Sequence, residues 1–314
     1  MRVAVVGATG QAGTVMRSVL AERNFPVDEI RFMASSRSAG TSLEWKGSEV
    51  AVEDAETADY SGLDFVLMAA GKHASREFAP RMAAAGAIVI DNSSAWRMDP
   101  DVPLVVPEVN VGALASIPKG IVANPNCTTM VAMPVLWPIH QRAGLRRIVV
   151  STYQAVSGAG LAGVRELDEQ VQKTADVAAA LTFSGSAIDF PPPSVFPERI
   201  AHNVISVAGS VSDDGSFETD EEKKFRDESR KILGIPELRV LTTCVRVPVF
   251  CGHSMAIAIE LERELSPADA TALLEKAPGV VLDDIPTPLK AAGGDGHITE
   301  KVDAKEGADC KKKA

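Results

Sequence analysis

The chain has 314 residues, of which 46% are hydrophobic and 24% are charged. This length suits two domains of ordinary size, and the composition excludes disordered and fibrous chains. A formal net charge of −10 excludes a general electrostatic attraction to nucleic acid or to an anionic membrane. An anionic ligand would therefore need a local basic pocket.

The cysteines show neither a disulfide pattern nor the spacing of a zinc site; they are Cys127, Cys244, Cys251 and Cys310. We therefore expect reduced thiols, no metal site and a cytoplasmic location. The N-terminus enters an apolar strand pattern directly, without the features of a signal peptide. No apolar run reaches the roughly 18 residues that a transmembrane helix needs.

Short apolar runs alternate with helical patterns through the first 126 residues. They predict strands at 2–7, 30–35, 65–70 and 87–91, and helices at 11–24 and 73–86. Strands that are buried on both faces and separated by helices form a parallel, doubly wound sheet. We therefore predict an α/β fold whose residues 1–126 form a Rossmann-type dinucleotide-binding domain.

Residues 127–290 show a different pattern. It predicts helices at 127–143, 166–180 and 221–233, strands at 146–156, 239–249 and 254–261, and a rigid proline-rich loop at 190–198. This mixture predicts a second, α+β domain, with a mixed or antiparallel sheet rather than a parallel one.

A glycine-rich turn follows the first predicted strand and opens the first predicted helix. Its candidate cofactor-binding residues are Gly7, Thr9, Gly10, Gln11, Ala12 and Gly13. Glycines let a backbone turn tightly and approach a pyrophosphate, which the helix dipole also attracts. The turn therefore predicts dinucleotide binding, and an ordinary tight turn is the alternative.

The end of the second predicted strand points to NADP(H) as the cofactor. The acidic residue that usually holds a ribose 2′-hydroxyl is absent there, and Arg37 and Ser38 follow instead. A guanidinium and a hydroxyl suit a 2′-phosphate. An ordinary polar loop is the alternative interpretation.

Cys127 stands where a predicted strand ends and a helix begins, in the segment Asn-Pro-Asn-Cys-Thr-Thr. A thiolate in this position is stabilised by unpaired backbone N–H groups and by the positive end of the helix. Although a single cysteine is more often an inert core residue, this context predicts a nucleophile.

Four segments together resemble the aspartate-β-semialdehyde dehydrogenase family: ANPNCTT, YQAVSGAG, EEKKFRDESRKIL and RVPVFCGHS. They occur in the family's order and spacing, and the resemblance runs from Met1 to about Asp295. It implies NADPH-dependent reductive dephosphorylation of L-aspartyl-4-phosphate to the semialdehyde. That reaction is an early step towards lysine, methionine, threonine and diaminopimelate. It also implies a homodimer whose second domain, residues 127–290, is catalytic and dimerising.

The resemblance assigns the catalytic roles as follows. Cys127 attacks the acyl phosphate, expels phosphate and carries a thioester, which hydride reduces to a thiohemiacetal. His253 is expected to be the general acid and base, because an ordinary histidine has a pKa near neutral pH. Gln154 orients the substrate carbonyl. Cys251, two residues before His253, would share its strand face and is interpreted as a packing residue.

The resemblance also assigns binding residues. Arg246 clamps the substrate α-carboxylate, Glu221 binds the amino group, and Lys224, Arg97 and Asn126 bind phosphate. Ser157 and Gly158 belong to a loop beside the cofactor. From spacing alone, Glu221 and Lys224 could equally be an exposed ion pair on one helix face, and Ser157 and Gly158 a surface turn.

The segment 291–314 departs from the family, whose chains continue with a strand and a long helix that covers the nicotinamide. Here the sequence is polar and ends in lysines, so we expect disorder, lower stability and weaker cofactor binding.

Two other functions are compatible with parts of this sequence. N-acetyl-γ-glutamyl-phosphate reductase shares the fold and chemistry, but its motif usually has Gly at the position of Asn126. Arg246 and Glu221 also suit a free amino acid better than an acylated amine. The second alternative is a non-catalytic dinucleotide-binding or dimerisation protein, against which the presence of every predicted chemical residue argues.

Overall fold

The computed structural model describes residues 1–291, which divide into two compact units. Unit 1 comprises residues 1–126 and 231–234, and unit 2 comprises the remaining described residues. Apart from Ala291, the tail predicted at 291–314 lies outside the described residues. Within the described range, no helix is long and apolar enough to cross a membrane.

Unit 1 is built on a seven-stranded sheet with the strand order β3-β4-β2-β1-β5-β6-β7. The strands are β1 (Arg2–Val6), β2 (Glu29–Ala34), β3 (Ser42–Trp45), β4 (Ser48–Asp54), β5 (Phe65–Met68), β6 (Ile88–Asp91) and β7 (Ile121–Ala123). The helices are α1 (Gln11–Glu22), α2 (Lys72–Ala84) and α3 (Pro107–Asn110), with a 3₁₀ turn at Val111–Ala115. All strand pairs are parallel except β3 with β4, which confirms the predicted fold class.

The strand order reverses between β1 and β5, which is where doubly wound sheets bind ligands. Gly7 follows β1 with a φ of +80°, and a Cβ there would lie 2.9 Å from the backbone of Ala69, just after β5. Gly13 packs still closer, since its Cβ would lie 2.3 Å from the Gly7 carbonyl oxygen. The glycines therefore permit the first loop and α1 to fold tightly over the strand ends.

The hairpin formed by β3 and β4 was not predicted. These strands are short and largely polar, so their apolar pattern is weak. Lys46 and Gly47 form the connection, with φ values of +48° and +81°. A two-residue turn with positive φ at both positions matches the twist of a hairpin. The Lys-Gly pair was therefore the sequence feature that could have predicted this hairpin.

Unit 2 contains a three-stranded sheet with β8 in the centre. Its elements are α4 (Cys127–Ala143), β8 (Leu145–Gln154), α5 (Gly160–Thr174), α6 (Asp220–Leu233), β9 (Arg239–Arg246), β10 (Ser254–Leu261), α7 (Pro267–Leu274) and α8 (Pro288–Ala291). Strand β8 pairs parallel with β9 and antiparallel with β10, so the predicted mixed sheet is confirmed. The last residues of α6, from Lys231 on, belong to unit 1.

Two predicted element bounds in unit 2 were wrong. The helix predicted at 166–180 is α5, which begins at Gly160 and ends at Thr174, before a 3₁₀ turn at Ala178–Thr182. The early start fits Gly163, which lies close to Phe196 and to the Val156 carbonyl and has no room for a side chain. The strand predicted to reach Val249 ends at Arg246, because Pro248 cannot donate a ladder hydrogen bond.

The close packing of Gly13 yields a prediction for stability and folding of unit 1. Gly13→Ala should lower the free energy of unfolding by about 1–3 kcal/mol, because the new methyl group overlaps backbone that cannot move aside. Gly112→Ala is the matched control, because a Cβ there meets nothing within 4 Å. Chemical denaturation of both variants measures the effect, and equal losses would contradict the packing argument.

Candidate active site

Three strand ends of unit 2 meet at one edge of its sheet. Strand β8 ends at Gln154, which lies opposite Arg246 at the end of the parallel strand β9. The antiparallel strand β10 begins at Ser254, opposite Tyr153 of β8. His253 directly precedes β10, so sheet register alone brings three residues predicted from the sequence to one place.

Cys127 and His253 are in direct contact. Cys127 is the first residue of α4, is exposed, and has its Sγ 3.2 Å from His253 Nε2. The N-terminus of a helix carries a partial positive charge that favours a thiolate. The contact therefore joins a thiol in an anion-stabilising position to an imidazole nitrogen.

A backbone hydrogen bond determines which nitrogen of His253 carries the proton. Ala155, the residue after β8, donates its N–H to His253 Nδ1 over 3.0 Å. A backbone N–H can only donate, so Nδ1 must accept. The single proton of the neutral ring then lies on Nε2, where it is donated towards the Cys127 sulfur.

The environment of His253 opposes the charged imidazolium. Burial, followed by the positive charge of Arg246, lowers the pKa of His253 from 6.5 to about 4, although Glu221 opposes this shift. The expectation of a pKa near neutral pH is therefore wrong. The ordinary value does not apply because the ring has lost solvent and faces a guanidinium.

Arg246 is held beside the histidine. It is 7% exposed, and its Nη1 donates to the Ala155 carbonyl oxygen over 2.7 Å. A Cβ on Gly158 would lie 3.2 Å from Arg246 Nη1 and 3.5 Å from His253 Cε1. A side chain at this position would therefore be tight against Arg246 and in van der Waals contact with His253.

Glu221 joins the remaining polar groups of unit 2. Gln154 is 1% exposed and donates from Nε2 to Glu221 Oε2 over 3.4 Å, while its Oε1 accepts from Thr152 over 3.0 Å. Lys224 donates to Glu221 Oε1 over 2.8 Å and to Asp220 over 2.6 Å. Although burial opposes it, pairing with Glu221 and Asp220 raises the pKa of Lys224. The ion pair that the helical spacing allowed is therefore present, but it is partly buried and not exposed.

The predicted cofactor residues of unit 1 lie around the ends of β1 and β2. Thr9 contacts Ser38 through a hydroxyl hydrogen bond of 3.5 Å, which joins the glycine-rich turn to the loop after β2. Arg37 is exposed in that loop, and no acidic residue directly follows Ala34. Ser157 and Gly158 belong to unit 2, where the Ser157 N–H donates to the Phe250 carbonyl over 3.1 Å.

Arg97 and Asn126 are both buried in unit 1. Arg97 donates from Nε to the Asn124 carbonyl over 2.9 Å and from Nη2 to the Asn92 carbonyl over 3.1 Å. These bonds connect the loop after β6 with the segment after β7. Arg97 therefore supports the backbone just before Cys127, in addition to any role towards a ligand.

The structural role of Lys231 was not predicted from the sequence. Its Nζ donates to the carbonyl oxygens of Arg97, Asp99 and Val102 over 2.7, 2.7 and 2.9 Å. Burial lowers the pKa of Lys231, and Asp99 opposes the shift. Lys231 lies within the segment EEKKFRDESRKIL that carries the family resemblance, but its three carbonyl partners converge only in the folded chain.

The interpretation of Cys251 was wrong. It is an exposed free thiol and lies before β10 rather than on it, next to Gly252 with a φ of +89°. The positive φ turns the chain between Cys251 and His253, so the alternation of a strand does not apply to them. Cys127 and Cys244 are also free cysteines, and Cys244 is buried.

Comparisons with known proteins agree with this arrangement. The NAD-binding-domain model of semialdehyde dehydrogenases matches residues 2–117, and the dimerisation-domain model matches residues 136–306. The chain is 60% identical to an aspartate-semialdehyde dehydrogenase of Streptomyces akiyoshiensis, over 98% of this chain and 90% of the relative. The chain belongs to the aspartate-semialdehyde dehydrogenase family. It is thus similar throughout to oxidoreductases of amino-acid biosynthesis with a nicotinamide-dinucleotide domain.

Further relatives of the family support the same assignment. An aspartate-semialdehyde dehydrogenase of Mycolicibacterium smegmatis is 54% identical over 96% of this chain and 88% of the relative. The crystal structure of aspartate semialdehyde dehydrogenase II of Vibrio cholerae matches with a TM-score of 0.87 and 40% identity. The match covers 93% of this chain and 85% of that one. A second structure of the Vibrio protein is complexed with ASA.

The lowered pKa of His253 yields a prediction for stability against pH. Because the folded pKa is about 4 and the ordinary value is 6.5, the unfolded chain binds a proton more readily. The folded state should therefore lose stability as pH falls from 6.5 to about 4, with no such loss above 6.5.

Thermal midpoints of the wild type and His253→Gln, measured from pH 4 to 8, test this. The glutamine variant lacks the titrating ring, so its midpoint should fall less steeply over the acidic range. Parallel curves for the two proteins would contradict a neutral, partly buried His253.

Proposed function

We propose that this chain catalyses the reversible, NADPH-dependent reductive dephosphorylation of L-aspartyl-4-phosphate to L-aspartate 4-semialdehyde. The observation that carries the proposal is the 3.2 Å contact between Cys127 Sγ and His253 Nε2, at the first residue of α4. The 60% identity to an aspartate-semialdehyde dehydrogenase supports the substrate. The reaction would serve lysine, methionine and threonine biosynthesis, including the diaminopimelate branch.

The first step forms a covalent intermediate on Cys127. The thiolate attacks the acyl carbon of the substrate and forms a tetrahedral adduct. The bond between that carbon and the phosphate oxygen then breaks, phosphate leaves with the electron pair, and a thioester remains. The helix N-terminus and the Nε2–H of His253 stabilise the attacking thiolate.

His253 acts as a neutral hydrogen-bond donor in this scheme. Loss of phosphate regenerates the carbonyl, and collapse of the later thiohemiacetal alkoxide to the aldehyde releases the thiolate. Neither step needs an imidazolium, and the Ala155 N–H directed at Nδ1 disfavours one. Nε2–H instead donates first to sulfur and then to the oxyanion that develops beside it.

The binding groups match an amino-acyl phosphate. Arg246, fixed by Ala155, receives the α-carboxylate, and Glu221 receives the ammonium group. Gln154, buried next to Glu221, orients the carbonyl. Lys224, Arg97 and Asn126 bind the phosphate and provide the local basic groups that an acidic chain needs for an anionic substrate.

The cofactor fits the glycine-rich turn of unit 1. A Cβ at Gly7 or Gly13 would lie under 3.0 Å from the backbone of Ala69 or Gly7, so these glycines allow the tight turn at the switch point that we propose binds the pyrophosphate, together with Gly10. Thr9, Gln11 and Ala12 complete this turn, and Ser157 with Gly158 are proposed to lie beside the cofactor. Arg37 and Ser38 favour the 2′-phosphate of NADP(H). The bound dinucleotide supplies the hydride that reduces the thioester.

We also propose that the protein is a homodimer. Residues 136–306 match the dimerisation-domain model of the family, which supports assembly through unit 2.

Replacing the nucleophile tests the proposed chemistry. Cys127→Ser should lower phosphate-dependent NADPH formation from aspartate semialdehyde at least about 10³-fold, because a hydroxyl is a far weaker nucleophile near neutral pH. Cys251→Ser is the matched control, since Cys251 is also an exposed thiol near His253 in sequence. It should keep full activity. Loss in the control with retention in Cys127→Ser would refute the assignment.

Cofactor choice is tested at Arg37. Arg37→Ala should raise KM for NADPH about tenfold through the loss of one charged phosphate contact, while KM for NADH stays the same. Arg23→Ala provides the control, because Arg23 is an exposed arginine after the far end of α1. An equal change for both cofactors in Arg37→Ala would show that Arg37 does not read the 2′-phosphate.

A further inference from the structure

The proline-rich loop at 190–198 has no role in the proposed reaction, yet it reaches Arg246. Phe196 of this loop places its ring against the guanidinium, with Arg246 Cζ 5.7 Å from the ring centroid. Phe196 itself is 8% exposed. A guanidinium over an aromatic face at this distance gains both electrostatic attraction and flat packing.

Helix α5 holds this loop by buried polar side chains spaced four residues apart. Glu166 Oε2 accepts the N–H groups of Ser194 and Val195 over 2.9 and 2.6 Å, and the Ser194 hydroxyl over 2.8 Å. One turn later, Gln170 Oε1 accepts from two further backbone N–H groups, those of Ile200 and Ala201, both over 3.0 Å. The backbone on both sides of Phe196 is therefore fixed to one helix face.

Apolar packing and a backbone bridge complete the connection to Arg246. Phe196 packs in a buried cluster with Val156, Leu167, Ile200, Ala201 and Ile205. Ile205 exchanges two backbone hydrogen bonds with Arg246, of 3.0 and 2.8 Å. The segment that begins at Ser194 thus meets Arg246 twice, through the ring of Phe196 and through the main chain of Ile205.

We propose that Phe196 is a positioning residue that fixes the guanidinium plane of Arg246, and that it thereby selects substrates with an α-carboxylate. The proposal rests on the function proposed above, in which Arg246 binds that carboxylate. The Ala155 carbonyl fixes one end of the guanidinium through Nη1. The ring of Phe196 restricts rotation of the guanidinium about its hydrogen bond to Ala155. The guanidinium plane is therefore preorganised for a carboxylate.

Glu166 acts through Phe196. Its carboxylate accepts three hydrogen bonds from the loop. These bonds fix the loop backbone, which restricts the ring of Phe196 to one orientation. Gly163, one turn of α5 before Glu166, allows the ring to approach, because a Cβ there would lie 2.9 Å from Phe196 Cζ. This fit leaves no room for a hydroxyl at Cζ, so tyrosine is not a useful rescue.

A pair of substrates separates positioning from general damage. Phe196→Leu keeps an apolar side chain but removes the aromatic face. We compare kcat/KM for L-aspartate semialdehyde with that for 3-aminopropanal, which keeps the aldehyde and the ammonium group but lacks the α-carboxylate. The variant should lower the ratio of kcat/KM for aspartate semialdehyde to kcat/KM for 3-aminopropanal about five- to tenfold. The change should come from a higher KM for aspartate semialdehyde at unchanged kcat.

Ile200→Ala is the matched control, because Ile200 belongs to the same cluster and is 0% exposed. It should lower the thermal midpoint and leave the substrate ratio unchanged. An unchanged ratio in Phe196→Leu, or equal narrowing in Ile200→Ala, would overturn the proposal.

Failure of the proposed function gives a different result. A wild type that does not prefer aspartate semialdehyde over 3-aminopropanal would refute the assigned substrate. The crystal structure of Phe196→Leu then decides the positioning role. A displaced Arg246 that no longer contacts the Ala155 carbonyl supports it, and an unmoved Arg246 overturns it.

Discussion

The proposed chemistry of unit 2 depends on the hydrogen bond from the Ala155 N–H to His253 Nδ1. It exists because β8 ends and β10 begins at the same edge of an antiparallel pair, which places Ala155 beside His253. With Nδ1 occupied by a donor, Nε2 keeps its proton and directs it to the Cys127 sulfur. The fold thus determines the tautomer of His253. In the proposed mechanism, this tautomer donates a hydrogen bond to an anion and does not take a proton from the thiol.

Arg246 also favours the neutral form of His253, in addition to its proposed role in binding the substrate carboxylate. Its positive charge helps to lower the pKa of His253, so the ring stays neutral in the range where the enzyme would work. The Ala155 carbonyl also accepts a hydrogen bond from Arg246. The backbone of Ala155 therefore binds both His253 and Arg246, which is the proposed carboxylate-binding residue. The ring of Phe196 packs against the guanidinium of Arg246.

Local sequence patterns were sufficient for most of the scaffold. Apolar runs predicted β1, β2, β5 and β6 of unit 1, and the flanking residues of Cys127 indicated its position at a helix start. The β3–β4 hairpin was missed because short polar strands carry little periodic signal. The early start of α5 was missed because Gly160 and Gly163 are weak helix formers. The close approach of Phe196 and the Val156 carbonyl to Gly163 is seen only in the folded chain.

The sequence predicted residues that contact each other in unit 2, such as Cys127 and His253, but it did not predict their environment. A reference pKa suggested a titrating His253, whereas burial and Arg246 set its pKa to about 4. Cys251 was expected to be a packing residue, but it is exposed, and the positive φ of Gly252 turns the chain between Cys251 and His253. Phe196 and Lys231 act through partners that are distant in sequence, so no spacing rule could identify them.

The existence of a thioester on Cys127 is tested most directly by mass spectrometry of the intact protein, followed by peptide mapping. The protein is incubated with aspartate semialdehyde and NADP in the absence of phosphate, so that the acyl group is transferred to sulfur and cannot leave as an acyl phosphate. We predict one aspartyl adduct on the Cys127 peptide, which disappears when phosphate is added. NADPH formation without an adduct, or with an adduct on another residue, would contradict Cys127 as the nucleophile.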